Sequence, residues 1–342
     1  MTKVNPFPLV VLMIFSIGIR SVYAQSIVKG LLKSEIGEPI AYANIGIEGS
    51  KYGTSSFEDG TFELKLPKEI ESTLITFSAI GFSTKELAIS DLLSENNLVV
   101  TLGEKERVLD EVIVKPENLQ QTSFGTWRSL GGKSLSFSRP AKGAEMAALI
   151  KASHQPYRLD KITIRIGSDN LKYYQMRCRF YYVDPITGQP SDDLILGNFI
   201  EQTNTNKGKL VFDFSGQNIW LESDIFMSFE WITDKKQSEK IIELYEKMPK
   251  DFFKEYKKEY PDLIGQIFND EEIRMVDSTG VVRFRSELSK KDSKYLKERD
   301  KRKPRVFLRT TEGAGKTYYR SSSHGKWIFY PEDIITTVEI SY

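Results

Sequence analysis

The sequence predicts a mainly β protein made of two successive β-sandwiches, the second carrying a charged, partly helical insertion. Three observations predict it. Residues 27–114 are short runs of strand-like residues broken by glycine turns. Alternation of apolar and polar residues returns from Leu159 onward. Between Asp234 and about Pro304 it gives way to helical spacing and dense charge.

Residues 1–24 read as a secretory signal. Lys3 supplies a positive start, Leu9 to Phe15 an apolar core, and Val22-Tyr-Ala24 a small-residue cleavage site before Gln25. The expected cut is Ala24–Gln25. The apolar run is broken by Gly18 and Arg20, and no later segment is long and apolar enough to span a membrane, so the mature chain is expected to lack a transmembrane span.

The first sandwich is expected over residues 25–115. Ile27-Val-Lys-Gly-Leu-Leu32 opens a strand, and Ser34 to Ile40 holds turn chemistry in Gly37 and Pro39. Ala41 to Ile47 reads as a half-buried strand. Thr54 to Leu66 reads as a hairpin around Asp59-Gly60, with Phe62, Leu64 and Leu66 on one face and Thr61, Glu63 and Lys65 on the other. Leu74 to Phe82 is a strand ending in a glycine bend. Leu98 to Leu102 and Val108 to Val114 complete the set. These residues also carry a resemblance. Gly30, the Gly-Glu-Pro-Ile-Ala-Tyr-Ala-Asn-Ile segment, the Gly-Thr-Ser-Ser-Phe-Glu-Asp-Gly-Thr-Phe segment and the Ala79-Ile-Gly-Phe82 bend resemble the carboxypeptidase-regulatory-like domain. The resemblance implies a transthyretin-like β-sandwich that is itself non-catalytic. It also implies a setting: such modules precede outer-membrane transporters of the starch-utilisation type and other envelope proteins, and Leu109-Asp-Glu-Val-Ile-Val114 is similar to the segment that ends the module there. No full-length transporter barrel is expected to follow in the remaining residues.

The second, larger sandwich is expected over residues 116–342. Phe124, Trp127, Leu135 and Phe137 make the stretch after Pro116 its opening strands instead of a free linker, and Ala144 to Ile150 reads as a strand or a single helical turn. Ile162, Ile164 and Ile166 alternate with Thr163 and Arg165. Tyr174, Met176, Cys178, Phe180 and Tyr182 alternate with Tyr173, Gln175, Arg177, Arg179 and Tyr181. Ile225, Met227, Phe229 and Trp231 oppose Phe226, Ser228 and Glu230. Such patterns predict a sheet buried on one side. The insertion, at about 234–304, places Ile241, Tyr245, Met248, Phe252, Tyr256 and Tyr260 at helical spacing. It continues with a hairpin from Ile273 to Phe284 and a solvated Lys-rich run at 289–303. Strands resume at Val306, Lys316, Lys326 and Ile335. The strand and turn order around Arg179 to Leu194, Lys207 to Phe214 and Ile225 to Ile232 resembles a jelly-roll-like sandwich that accompanies the regulatory-like module in envelope proteins. That likeness concerns fold and supplies no ligand.

The net charge is +1, so no global field attracts nucleic acid, although residues 25–115 hold nine Lys and Arg against fifteen Asp and Glu. Cys178 is the one cysteine, which excludes an intramolecular disulfide. Its place on an apolar strand face reads as packing, not as a nucleophile.

Zinc hydrolysis needs clustered ligands. The chain has only His154 and His324, each read as a surface turn residue. Gly313-Ala-Gly-Lys-Thr317 lacks the first glycine of a phosphate loop, since Thr310 stands there, and reads as a hairpin turn. Asp184, Asp192, Asp193 and Asp213 fit turns and lack the spacing of an EF-hand. No cofactor or metal is expected.

The best binding candidate is the face with Tyr173, Arg177, Arg179 and Tyr181. Aromatic and guanidinium groups exposed together stack on a sugar or grip an acidic ligand. The expected function is a non-catalytic binding or interaction protein of the periplasm or outer membrane, its partner an envelope protein or a glycan. The alternatives are an envelope hydrolase acting on glycan or peptide through carboxylates of the second domain, and a barrel-associated or small outer-membrane protein, prompted by the alternating end at Tyr342.

Overall fold

A computed structural model of the protein describes residues 25–67, 70, 74–94, 98–105, 118–125, 134–137, 143–151, 156–169, 171, 173–194, 197–203, 207–241, 243, 263–268, 273–277, 282–283 and 305–342. The signal stretch through Ala24, the strand at Val108–Val114, Trp127, His154, Tyr245 to Tyr260 and the Lys-rich run at 289–303 lie outside them.

The chain opens with strands β1 (Gln25–Ser34), β2 (Asn44–Gly46), β3 (Gly53–Ser55), β4 (Thr61–Pro67), β5 (Leu74–Ser78) and β6 (Lys85–Ala88), the short helix α1 (Ile89–Ser94), and β7 (Leu98–Leu102). One sheet runs β4-β1-β7 and a second runs β3-β2-β5-β6. Their inner faces share one core that includes Val28, Leu32, Ile45, Phe62, Leu64, Ile75, Phe77 and Val100. Phe62, Leu64 and Leu66 are buried as the alternation predicts, and Phe62 meets Phe77 of the other sheet edge-on at 5.7 Å.

Two local expectations change. Asp59-Gly60 does make a turn: Gly60 has φ +76° and Asp59 Oδ1 accepts the Thr61 N–H at 3.0 Å. Its flanking strands do not pair, however. β3 pairs with β2 and β4 with β1, so the turn is an arch between the two sheets and not a hairpin. The strand expected over Ala41–Ile47 shrinks to Asn44–Gly46, because Ala41 and Tyr42 form a turn with Tyr42 at φ +56°.

Then come β8 (Gln121–Gly125), β9 (Ser134–Phe137), β10 (Glu145–Ile150), β11 (Tyr157–Asp169), β12 (Tyr174–Val183), β13 (Pro190–Asp193), β14 (Phe199–Thr203), β15 (Lys207–Asp213), β16 (Trp220–Leu221) and β17 (Ile225–Ile232). Within the expected insertion, residues 235–241 are helical, and β18 (Leu263–Phe268), β19 (Ile273–Asp277) and β20 (Val282–Arg283) form a separate three-stranded sheet. The β19–β20 pairing is the hairpin read at Ile273–Phe284. The chain ends with β21 (Arg305–Arg320), β22 (Ile328–Ile334) and β23 (Thr336–Ser341).

β21 is the hinge of this second unit. Its first residues, Arg305–Leu308, pair with β11, and its last, Thr317–Arg320, pair with β10. One layer therefore runs β13-β12-β17-β10-β21 and the other β21-β11-β23-β8. Between them lies a core with Ile162, Ile164, Cys178, Phe180, Phe212, Phe229 and Trp231. The glycine segment at 313–315, expected as a hairpin turn, lies inside this strand, where the register with β22 shifts between Glu312 and Thr317. β17 corrects the one-sided burial: all eight of its residues are buried, Phe226, Ser228 and Glu230 included. The outer face of that layer is covered too: Trp327 and Tyr318 pack over the Tyr181 and Phe226 end, and the first unit covers the Arg177 and Glu230 end.

Candidate functional site

The covered face is built by register. Arg177 of β12 lies opposite Glu230 of β17, Glu230 opposite Glu145 of β10, and Glu145 opposite Arg320 of β21. Four neighbouring strands thus carry the row Arg, Glu, Glu, Arg. Two carboxylates side by side repel, and the flanking guanidinium groups compensate them. Two residues along β12, Arg179 stands opposite Ser228.

The row resolves into two clusters. In the first, Arg177 Nε donates to Glu230 Oε2 at 3.0 Å and Nη2 reaches the same oxygen, while Ser55 Oγ of β3 donates to Glu230 Oε1 at 3.0 Å. Arg177 Nη1 donates to Tyr42 O and lies 3.4 Å from Asn198 Oδ1. Tyr42 holds a backbone conformation uncommon outside glycine, fixed in part by its N–H bond to Ser56 O at 3.2 Å. Arg177 and Glu230 are each 1 % exposed. Beyond bonding each other, Arg177 reaches Tyr42 and Glu230 reaches Ser55 of the first unit.

In the second cluster Glu145, fully buried, accepts from Arg179 Nη1 at 2.9 Å and from Arg320 Nη2 on one oxygen. Its other oxygen accepts from Tyr181 OH at 2.7 Å and Ser228 Oγ at 2.5 Å. Arg179 also pairs with Asp193, and Arg320 lies over the Trp327 ring at 4.8 Å. Burial pushes the Glu145 carboxyl up, but Arg320, then Arg179 and Arg177, outweigh it and hold the group well below the usual carboxylate range. Burial drives the Tyr181 hydroxyl far above its ordinary value. Three guanidinium groups therefore meet three carboxylates, and the set is neutral as a whole.

The turn at residues 321–325 completes the junction. Gly49 N–H donates to His324 O at 2.8 Å, Ser322 Oγ to Ser50 O at 3.2 Å, and Ser323 Oγ to Asn44 Oδ1 at 3.2 Å. Gly46 and Gly53 admit the turn: a Cβ on Gly53 would stand 2.4 Å from Ser323 O, and one on Gly46 2.7 Å from it. His324 Nδ1 lies 3.2 Å from Glu48, whose carboxyl is lowered by that hydrogen bond. His324 is therefore a docking residue and not the surface turn residue expected.

The expected exposed face of Tyr173, Arg177, Arg179 and Tyr181 is corrected in the same way. Arg177, Arg179 and Tyr181 do share one face, but they are 1–2 % exposed, and only Tyr173, at 40 %, remains open. Alternation tells correctly which side chains travel together and cannot tell what covers them: Tyr42 of the first unit lies on Arg177, and Trp327 and Arg320 of the second unit itself lie on Tyr181. Sequence reasoning misses Glu145, Glu230, Ser55 and Arg320. A signal for the two glutamates is present: a carboxylate opening Glu145-Met-Ala-Ala-Leu-Ile150, and another inside the otherwise apolar β17.

Two of the other aspartates serve their own turns. Asp184 Oδ1 accepts the N–H groups of Ile186 and Thr187, and Asp213 Oδ1 accepts the N–H and hydroxyl of Ser215, each fixing its own turn. Among the described residues no three His, Cys, Asp or Glu gather as a metal site. No helix among them is long and apolar enough to cross a membrane, which says nothing of a β-barrel. Cys178 is fully buried, and burial pushes its thiol well above the ordinary value. A thiol-specific reagent at pH 8 is therefore expected to leave the native protein unlabelled and to label it once denatured. Rapid native labelling would contradict this packing.

A family profile described as CarboxypepD_reg-like domain matches residues 28–114, and the described residues of that stretch form the two small sheets. Residues 28–114 are a CarboxypepD_reg-like domain. Its curated relatives include TonB-dependent receptor SusC of Bacteroides thetaiotaomicron, 34 % identical over 93 residues, and a TonB-dependent receptor of Formosa agariphila, 32 % identical over 107 residues. The matches cover 27 % and 31 % of this chain but only 8 % and 10 % of those receptors, so the chain spans about a tenth of the length of the relatives it matches. Among solved structures, the major pilin subunit BcpA of Bacillus cereus aligns over 76 % of this chain and 66 % of its own at 11 % identity, with a TM-score of 0.15. VP2 of infectious bursal disease virus covers 100 % and 83 % at 8 % identity and a TM-score of 0.22. Likenesses that weak carry no argument.

Proposed function

We propose that the chain is a non-catalytic interaction protein of the bacterial envelope, exported to the periplasm or the outer membrane. In this reading the CarboxypepD_reg-like domain and the β-sandwich behind it, residues 116–342, act as one body that presents a joint surface to another envelope component. One observation carries it. The buried Arg177–Glu230 pair of the second unit bonds to Tyr42 and Ser55 of the first and so joins the two modules. Beside it Glu145 is neutralised by Arg179 and Arg320 within the second unit, so neither buried glutamate is left as an unpaired acid for proton transfer. Kinship of the domain with the N-terminal regions of TonB-dependent receptors supports an envelope setting. A protein partner is favoured over a glycan, because the aromatic and arginine face that would have stacked on a sugar is buried.

The test is capture from envelope extract with the chain 25–342, beside a Gly53→Val variant in which the 321–325 turn is displaced from the domain. A defined envelope protein retained by the native chain and released by the variant supports a joint surface. Capture that survives the substitution rejects it. Hydrolysis of envelope glycan or peptide by the native chain, lost on Glu145→Gln or Glu230→Gln, would establish the hydrolase instead.

A further inference from the structure

His324 is the only histidine among the described residues, and histidine is the side chain whose charge ordinarily changes between pH 5 and 8. Its ring belongs to the second unit, and each ring nitrogen faces an acceptor of the first. Nδ1 lies 3.2 Å from Glu48 Oε2, and Nε2 lies 3.4 Å from Asn44 O and 3.4 Å from Ser78 Oγ. The backbone fixes the ring there. Gly325 N–H donates to Ser322 O at 3.0 Å and closes the turn, while the His324 carbonyl accepts from Gly49 N–H at 2.8 Å. The side chain keeps 12 % of its surface in water, so protons reach it.

A neutral imidazole donates from one nitrogen and accepts at the other. With its proton on Nδ1 the ring bonds Glu48, and Nε2 is left to accept from the Ser78 hydroxyl. The Asn44 carbonyl then receives nothing from the ring. An imidazolium donates from both nitrogens, to Glu48 on one side and to Asn44 or Ser78 on the other. It also sets a positive charge against the Glu48 carboxylate. That carboxyl is held below its ordinary 4.5, chiefly by the hydrogen bond from His324, so it is ionised wherever an imidazole titrates.

Other groups near the ring oppose its charge more weakly. Arg320 acts on Glu48 from the second unit but is itself bonded to Glu145. Lys326, whose stem lies beside Gly49, is exposed and screened by water. Burial of the ring is partial and opposes the charge in the same direction as these two.

We propose that His324 is a pH-sensitive latch: its protonation draws the CarboxypepD_reg-like domain and the second unit together, and its deprotonation loosens them. The imidazolium gains these partners only when the units are docked, so docking and protonation favour each other. The gain is present below the ordinary imidazole range of about pH 6.5 and is lost as pH rises through and above it. The Glu48 side chain is 77 % exposed, so the effect is that of a screened pair, about two- to fivefold in the docking equilibrium. The latch rests on the two modules acting as one body and adds the condition under which that body loosens.

Hydrogen exchange of the native chain tests it, read as the protection of the Gly49 amide after correction for the intrinsic pH dependence of exchange. From pH 8 to pH 5.5 that protection is expected to rise about two- to fivefold. His324→Asn removes the titrating ring with a residue that tolerates the backbone at φ +58°, and the rise is expected to vanish with Leu64 in β4 still protected. Glu48→Gln keeps a neutral acceptor, and at most about half of the rise is expected to remain. A native protection that is flat or falls toward pH 5.5, or a rise that persists undiminished in either variant, overturns the latch and leaves the docked body standing. A Gly49 amide unprotected at both pH values overturns the docked body and the latch with it.

Discussion

Replacing Glu145 by alanine is expected to lower stability by about 3–5 kcal/mol, because it strands two buried guanidinium groups at once. Arg179 and Arg320 both donate to Glu145, and Tyr181 and Ser228 lose their acceptor with it. Removing the acid at Glu63 provides the contrast. That residue pairs with Lys29 at 2.7 Å on the surface, and Glu63→Ala is expected to cost at most about 1 kcal/mol. Denaturant unfolding of both variants measures the difference. A Glu145→Ala protein as stable as Glu63→Ala would mean that the Glu145 cluster is not desolvated. The pH dependence has a definite sign. A carboxyl held below its ordinary 4.5 stabilises the fold fully above that pH, and the contribution declines as pH falls below it and is gone once pH has passed through the lowered folded value.

Gly53→Val is the second large effect. A side chain there meets the backbone of Ser323, its oxygen at 2.4 Å and its nitrogen at 2.9 Å, and neither atom belongs to a flexible group that can step aside. Forcing atoms into such a contact costs about 1–3 kcal/mol, or is relieved by moving the whole turn away. Relief forfeits the hydrogen bonds to Gly49, Ser50 and Asn44 and opens Arg177 and Glu230 to water. The expected result is loss of the junction with both cores intact. Proteolysis at the 321–325 turn should accelerate by an order of magnitude or more, with strand β4 still protected. Unchanged cleavage would contradict the docking.

How far the sequence reveals this depends on whether each feature is local. Strand periodicity is local, so it places Phe62, Leu64 and Leu66 and the Cys178 face correctly. Turn chemistry is local too, and the Asp59-Gly60 turn exists. The pairing of the strands on either side of a turn is not local, and β3 and β4 leave this one for different sheets. Cover is the least local property of all. Arg177, Arg179, Ser228 and Glu230 carry the polarity of a solvent face, yet they are buried: Arg179 and Ser228 meet Glu145 of a neighbouring strand, and the first unit supplies Tyr42 and Ser55 to Arg177 and Glu230. One signal in the sequence points to that contact. Gly46 and Gly53 stand in two short neighbouring strands, where glycine marks close approach of another backbone. The approaching segment, Ser321-Ser-Ser-His-Gly325, has the composition of an ordinary exposed turn, and nothing in it names its receptor.

The CarboxypepD_reg-like domain is fixed to the second unit through buried polar contacts. The amide of Gly49 reports on it directly. It sits in a turn of the domain at φ +69°, and its hydrogen-bond acceptor is the His324 carbonyl of the other unit, at 2.8 Å. Hydrogen exchange of the native chain is expected to find Gly49 protected well beyond a free turn amide, with that protection lost in Gly53→Val while Leu64 in β4 stays protected. A Gly49 amide that exchanges in the native chain as fast as an open turn would contradict the account.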